Sequence, residues 1–160
     1  MKPTLLLGYG NADRGDDGVA WHILCHVAAK LGRDLPAVEV GFFPDGNDPD
    51  LMFALQLVPE DSEILSHYSR VCFIDAHTGA IDNDLNMIKI DPGFQSSPFT
   101  HHLTPMTCLS LCQTIYGSIP EAIMVSVRGY DFGFTRDLSQ KTADLAQEAG
   151  NRITTWLANC

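Results

Sequence analysis

Residues 4–11 read Thr4-Leu5-Leu6-Leu7-Gly8-Tyr9-Gly10-Asn11, a short and nearly all-apolar run that ends in a glycine-rich turn. A run of this kind is typical of a strand that is buried on both faces. From Asp16 to Leu31, apolar residues recur at helical spacing, and Gly32 supplies the stop. A buried strand that leads directly into a helix predicts an α/β fold with a parallel sheet.

The rest of the chain repeats this alternation of strands and helices. We predict further strands over residues 37–43, 70–75, 85–90 and 122–127. We predict further helices over residues 51–57, 105–116 and 138–158. Thr104 is the expected N-cap of the second of these helices, and the strand at 85–90 alternates as a sheet-edge strand does.

Right-handed crossovers between such elements imply a three-layer sandwich, in which a mostly parallel, twisted five-stranded sheet carries helices on both faces. A chain of 160 residues is long enough to bury one continuous core. We therefore expect a single domain over residues 1–160, acting as a monomer.

The charge and cysteine content of the chain limit which partners and which cell compartment we expect. Ten basic and 20 acidic residues give a net charge of −10, which repels nucleic acid and anionic membrane surfaces and suits a cation. The apolar run at residues 4–8 is too short for a signal peptide or a membrane span. Five scattered cysteines without a CxxC pair indicate reduced thiols, so we expect a cytoplasmic protein. Cys108 and Cys112, spaced i, i+4, are interpreted as buried apolar side chains and not as ligands of a soft metal.

The glycine turn after the first strand does not predict a dinucleotide site. The third glycine of a GxGxxG pattern would fall at position 13, which is Asp13. The acidic residues that follow would repel a pyrophosphate and attract a cation. We interpret Asp16 as a first-turn acid, favoured there by the helix dipole, and Asp17 as a candidate metal ligand.

Further candidate ligands follow the third predicted strand and precede a helix. A carboxylate at the tip of a central strand, as Asp75 is, is hard to explain by packing. His77 lies two residues beyond and is interpreted as a loop histidine. Either His101 or His102 could enter a cleft at the same sheet edge, because sites in such folds form at the carboxyl ends of the strands. Two carboxylates and one imidazole would suit zinc, nickel, manganese or iron(II) and leave positions open for hydrolysis.

Taken in order, these motifs resemble the hydrogenase maturation proteases over nearly the whole chain. The resemblance rests on Gly8-Tyr9-Gly10-Asn11, Asp17-Gly18, Asp75-Ala76, Thr100-His101-His102-Leu103-Thr104-Pro105, Val127-Arg128-Gly129-Tyr130-Asp131-Phe132-Gly133 and Leu138-Ser139. Residues 41–46 lack the DGGT-like turn common in that family, so substrate contacts of that loop are not transferred.

The resemblance implies both an activity and a site. It implies an endopeptidase that removes the C-terminal extension of a nickel-containing hydrogenase large-subunit precursor after metal insertion. By position, it makes Asp17, Asp75 and His101 the metal-binding and catalytic residues. The divalent metal is expected to be the nickel of the substrate, for which zinc or cadmium could substitute in a crystal.

Two mechanisms and two other functions remain open at this point. The ion could activate a bound water with help from Asp16, or the acidic pair could act directly as acid and base, in the manner of an aspartyl protease. A non-catalytic nickel-binding maturation chaperone is the alternative function. A phosphoacceptor receiver domain fits poorly, because Arg128 stands where a receiver has a lysine after its last strand.

Overall fold

The computed structural model describes residues 3–94 and 103–159. Its strands are β1 (Thr4–Tyr9), β2 (Asp50–Ala54), β3 (Arg70–His77), β4 (Leu85–Ile90) and β5 (Glu121–Arg128). Its α-helices are α1 (Val19–Lys30), α2 (Asp61–Leu65), α3 (Pro105–Leu111) and α4 (Gln140–Ala158). A 3₁₀ turn, Gly15–Gly18, precedes α1, and a π-helical turn, Cys112–Tyr116, extends α3. Within the described ranges, no helix is long and apolar enough to cross a membrane.

The strands form one sheet in the order β2-β1-β3-β5-β4. All neighbouring strands are parallel except β4, which runs antiparallel to β5 at one edge of the sheet. The predicted fold class is thereby confirmed, including the position of β4 at an edge. Since β1, β3 and β5 are parallel, their carboxyl ends meet at the same rim.

Helices cover both faces of the sheet, and the alternation of side chains along each strand divides the core in two. Leu6 of β1 packs in one cluster with α1 and α4, whereas Leu5 and Leu7 pack in the other, with α2 and α3. Each of these three leucines is fully buried. Because every second residue faces the same side, Tyr9 and Asp75 lie on the α3 face, where β1 and β3 end.

Two predicted elements are wrong. Residues 37–43 form no strand: they turn at 38–40, Gly41 has a φ of +80°, and Val40 and Phe43 are exposed. The second strand is instead Asp50–Ala54, which overlaps the predicted helix 51–57, because this short apolar run pairs in parallel with β1. The loop still supports the sheet, since the Phe42 carbonyl accepts a hydrogen bond from the Phe53 N–H.

The helix predicted over residues 105–116 is present, with its last part wound as the π-helical turn. Thr104 is its N-cap, as predicted, because its side chain accepts a hydrogen bond from the Thr107 N–H. This cap fixes the amino end of α3 above the carboxyl ends of β1 and β3. Cys108 and Cys112 are buried in the core beneath it, as interpreted from their spacing.

Candidate functional site

A cleft of about 640 Å³ opens at the carboxyl rim of the sheet. One end is polar and contains Tyr9, Asn11, Asp17 and Asp75, and the other is formed mainly by apolar side chains. The apolar lining comes from Leu55, Leu57, Leu103, Pro105, Met106 and Met124. The structure therefore brings two of the three predicted site residues into one cleft, although they stand far apart in the sequence.

Asp17 is placed by the turn that follows β1. Gly10 has a φ of +144°, and a Cβ at this position would overlap the Asp17 carbonyl oxygen. The two chain segments can approach this closely only because residue 10 is glycine. The Asn11 N–H then donates a hydrogen bond of 2.8 Å to Oδ2 of Asp17. These contacts hold the Asp17 carboxylate at the polar end of the cleft.

Asp75 lies at the end of β3, partly buried, beside the end of β1. The pKa of Asp75 is raised to about 7: burial is the main cause and the negative charge of Asp17 adds to it, whereas the Ala76 N–H and the Tyr9 hydroxyl partly offset both effects. The Ala76 hydrogen bond is 2.7 Å long. Burial and the neighbouring Asp75 likewise raise the pKa of Tyr9 well above its usual range. Asp75 can thus gain or lose a proton near neutral pH.

Asp16 is fully buried and serves a different purpose from Asp17. Its Oδ2 accepts hydrogen bonds from the Tyr130 and Asp131 N–H groups and from the Ser139 and Thr142 hydroxyls, at 2.6–2.9 Å. Its Oδ1 accepts one from the Ser139 N–H at 2.8 Å. Burial opposes its ionisation, but these hydrogen bonds lower the pKa of Asp16 to about 2. A carboxylate so fully engaged, and outside the cleft lining, is a poor proton relay.

The histidines divide between the described and undescribed parts of the chain. His77 is buried in β3; its Nδ1 accepts a hydrogen bond from the Gly79 N–H, and its Nε2 has no hydrogen-bond partner among residues 3–94 and 103–159. His101 and His102, including the third predicted ligand, lie outside the described residues. In the described part of the chain, no three His, Cys, Asp or Glu side chains lie close enough together to hold a metal ion.

Solved structures share this architecture. HybD, the hydrogenase maturating endopeptidase of E. coli, matches 98% of this chain and 93% of its own, with a TM-score of 0.66 and 15% identity. The [NiFe] hydrogenase maturation protease HycI of Thermococcus kodakarensis KOD1 covers the same shares, with a TM-score of 0.65 and 17% identity. The chain has the fold of the hydrogenase maturation proteases. The endopeptidase HycI of Escherichia coli agrees, with 96% and 90% coverage, a TM-score of 0.60 and 19% identity.

The likeness to the hydrogenase maturation proteases is one of structure. No sequence-family model matches the chain, and no curated protein sequence is similar enough to count as a match. At identities of 15–19%, these structures establish the fold, and the site has to be argued from the residues of this chain.

On this maturation-protease fold, the sequence analysis missed Tyr9 as a site residue. Its hydroxyl contacts Asp75, and its ring lines the cleft. The signal was present in the pattern of β1, because Tyr9 has the same parity as Leu5 and Leu7 and is the last residue of the strand. A residue in that position must face the same side as Asp75 in the neighbouring parallel strand.

Proposed function

We propose that this protein is a hydrogenase maturation endopeptidase that removes the C-terminal extension of a nickel-containing hydrogenase large-subunit precursor after nickel insertion. The observation that carries the proposal is the meeting of Asp17 and Asp75 in one cleft at the carboxyl rim of this fold. Neighbouring structures named as hydrogenase maturation endopeptidases support the same activity.

The chemistry of the two carboxylates suits a cation-bearing substrate. Asp17 lies close enough to Asp75 for its negative charge to raise the pKa of Asp75. A divalent cation between them would offset this repulsion, and carboxylates are ordinary ligands for nickel or zinc. The nickel arrives with the precursor and, when bound, would polarise the scissile carbonyl.

His101 is the proposed third ligand. It stands two residues before Leu103 in the sequence, and Leu103 and Thr104 line the cleft beside the carboxylates. An imidazole added to two carboxylates gives the mixed oxygen and nitrogen set that first-row divalent metals accept. The choice between His101 and His102 is a matter for mutagenesis.

Asp75 and Tyr9 are the groups of this chain that could transfer a proton during peptide cleavage. Where the acidic pair acts directly as acid and base, and not as ligands of the cation, Asp75, with a pKa of about 7, can hold a proton at neutral pH and release it to the leaving amine, or take one from an attacking water. Tyr9 donates a hydrogen bond to the ionised form of Asp75 and so keeps that pKa from rising further. Asp17 is held in the cleft by the hydrogen bond of 2.8 Å that its Oδ2 accepts from the Asn11 N–H.

The proposed function is tested by incubating the purified protein with a nickel-loaded large-subunit precursor. We expect a shortened large subunit with the wild-type chain and none with Asp17→Asn or His101→Ala. Asp34→Asn, which removes an exposed carboxylate of the same charge, should process the precursor at the wild-type rate.

Each outcome of this assay assigns a function. An intact precursor with wild-type protein that nevertheless binds nickel would replace the peptidase with a non-catalytic nickel-binding chaperone. Processing by Asp17→Asn at the wild-type rate would refute the assignment of Asp17.

A further inference from the structure

The Asp16 carboxylate links two parts of the chain that are distant in sequence. Five hydrogen bonds that it accepts from described residues all come from the segment 130–142, which follows β5 and begins α4. The nearest of these donors is 114 residues away in the sequence. A first-turn acid that served only its own helix would accept from local N–H groups. The Asp16 carboxylate therefore acts as a clamp, meaning that its hydrogen bonds join the turn that precedes α1 to the segment 130–142.

Backbone contacts join the same two segments around this clamp. The Asp16 N–H donates to the Asp131 carbonyl and the Gly15 N–H donates to the Thr135 carbonyl, each at 2.8 Å. Arg14 adds a hydrogen bond of 3.1 Å from its Nε to the Phe132 carbonyl. A side chain at Gly15 would lie 2.5 Å from the Asp131 carbonyl, so the two segments are in close contact.

The turn that carries Asp17 has little internal support. Gly15–Gly18 is a 3₁₀ turn of four residues, and no side chain caps its amino end. Short 3₁₀ turns have poor hydrogen-bond geometry and depend on their surroundings. The orientation of Asp17, the next residue after Asp16, therefore depends on what anchors Asp16.

We propose that Asp16 is a positioning residue: its buried carboxylate anchors the turn Gly15–Gly18 to the segment 130–142 and so holds Asp17 in the cleft opposite Asp75. This inference rests on the proposed function for its consequence, since it makes Asp16 a support for the nickel-binding carboxylate. Supporting residues behind a metal ligand typically change metal affinity by about 10- to 100-fold when they are mutated.

The amide of Asn11 gives a readout of the Asp17 position that needs neither metal nor substrate, because it donates to Oδ2 of Asp17. We would record the ¹H–¹⁵N resonance of Asn11 in wild type, Asp16→Asn and Asp17→Asn. In Asp16→Asn, the amide NH₂ group would face hydrogen-bond donors, so the clamp should open. The Asn11 resonance should then move toward its position in Asp17→Asn, and nickel affinity measured by titration should fall about tenfold or more.

Asp50 provides a matched control. It is also a buried carboxylate with several donors, namely the Asp45 and Gly46 N–H groups and the Tyr68 hydroxyl, but it lies at the start of β2, at the opposite end of the sheet. Asp50→Asn should lower stability while leaving the Asn11 resonance and the nickel affinity unchanged.

The two proposals can fail separately. The positioning role is overturned if folded Asp16→Asn keeps the wild-type Asn11 resonance and nickel affinity, or if Asp50→Asn alters both equally. If Asp16→Asn does not fold, Ser139→Ala and Thr142→Val remove individual donors and are judged by the same two measurements. A wild-type chain that neither binds nickel nor cuts the precursor refutes the proposed function, while the Asn11 resonance still decides the role of Asp16.

Discussion

Tyr9, at the end of β1, and Asp75, near the end of the neighbouring strand β3, line the same cleft, and the Tyr9 hydroxyl lowers the pKa of Asp75. This interaction partly offsets the effect of burial on Asp75, whose pKa is nevertheless raised to about 7. The two residues thus set the protonation of the candidate site at the pH at which most enzymes work. Their relationship can be tested without any substrate.

Tyr9→Phe should raise the pKa of Asp75, because the ionised carboxylate loses a donor while the aromatic ring still fills its place. The Tyr9 hydroxyl is the smallest of the four influences on this pKa, so the midpoint should move upward by less than about one pH unit, the shift that about 1.4 kcal/mol would give. The ¹³C shift of the Asp75 carboxyl carbon, followed by NMR between pH 4 and 9, measures the midpoint directly.

Tyr68→Phe is the matched control for this substitution. The Tyr68 hydroxyl donates a 2.6 Å hydrogen bond to Asp50 at the opposite end of the sheet, so its loss should leave the Asp75 midpoint where it was. An unchanged midpoint in Tyr9→Phe would show that the Tyr9 hydroxyl does not stabilise the Asp75 charge.

Asp75→Asn should stabilise the fold at alkaline pH. The pKa of Asp75 rises from 3.8 in the unfolded chain to about 7 in the folded one, so the folded state binds the proton more tightly between these values. Stability from this group is therefore present at low pH and lost as the pH rises through 7. Asp75→Asn has no carboxyl group to ionise, so its stability does not fall in this way as the pH rises. Its melting temperature should exceed that of wild type at pH 8 by about 3 °C or more, but not at pH 4.

Calorimetry at pH 4 and pH 8 checks this expectation, with Asp34→Asn as an exposed control of equal charge change. A difference in melting temperature between wild type and Asp75→Asn that is the same at both pH values would mean that Asp75 has the same pKa in the folded protein as in the unfolded chain.

Much of the fold follows from the sequence because parallel strands that are buried on both faces leave a strong signal. The runs predicted at 70–75 and 122–127 correspond to β3 and β5, which extend them by one or two residues. The β2 strand was predicted as a helix because a short run of one Asp and four apolar residues suits a helix as well as a strand. Its state is decided by pairing with β1, a contact that no local pattern records.

The site was predictable in part for the same reason. Parallel topology brings strand ends together, so the sequence pattern alone predicts that Asp17 and Asp75 lie at one rim of the sheet. The different roles of Asp16 and Asp17 could not be predicted, because two adjacent aspartates look alike in a sequence. Only the folded chain brings the hydrogen-bond donors of residues 130–142 to Asp16 and leaves Asp17 in the cleft.

Asp16 should stabilise the fold at neutral pH and lose this effect in acid. The pKa of Asp16 falls from 3.8 to about 2 on folding, so its contribution is present above pH 4 and is lost as the pH falls through 2. The difference in unfolding free energy between wild type and Asp16→Asn should therefore be constant above pH 4 and shrink below it. Urea denaturation from pH 7 to pH 2 measures this difference. A difference that stayed constant down to pH 2 would show that the ionised carboxylate of Asp16 is not what stabilises the wild type.

Gly10→Ala should damage the site more than Gly32→Ala. At Gly10 the φ of +144° and the overlap of a Cβ with the Asp17 carbonyl oxygen both oppose a side chain, whereas at Gly32 the φ is +72° but nothing lies within 4 Å. Gly32→Ala should thus cost only the left-handed backbone strain, about 1–2 kcal/mol. Gly10→Ala should cost more in urea denaturation and also displace the Asn11 amide resonance, since the turn must shift to admit the methyl group. Equal losses of stability in the two variants, with the Asn11 resonance unmoved, would show that the close approach of Gly10 to Asp17 is not what sets the geometry of the cleft.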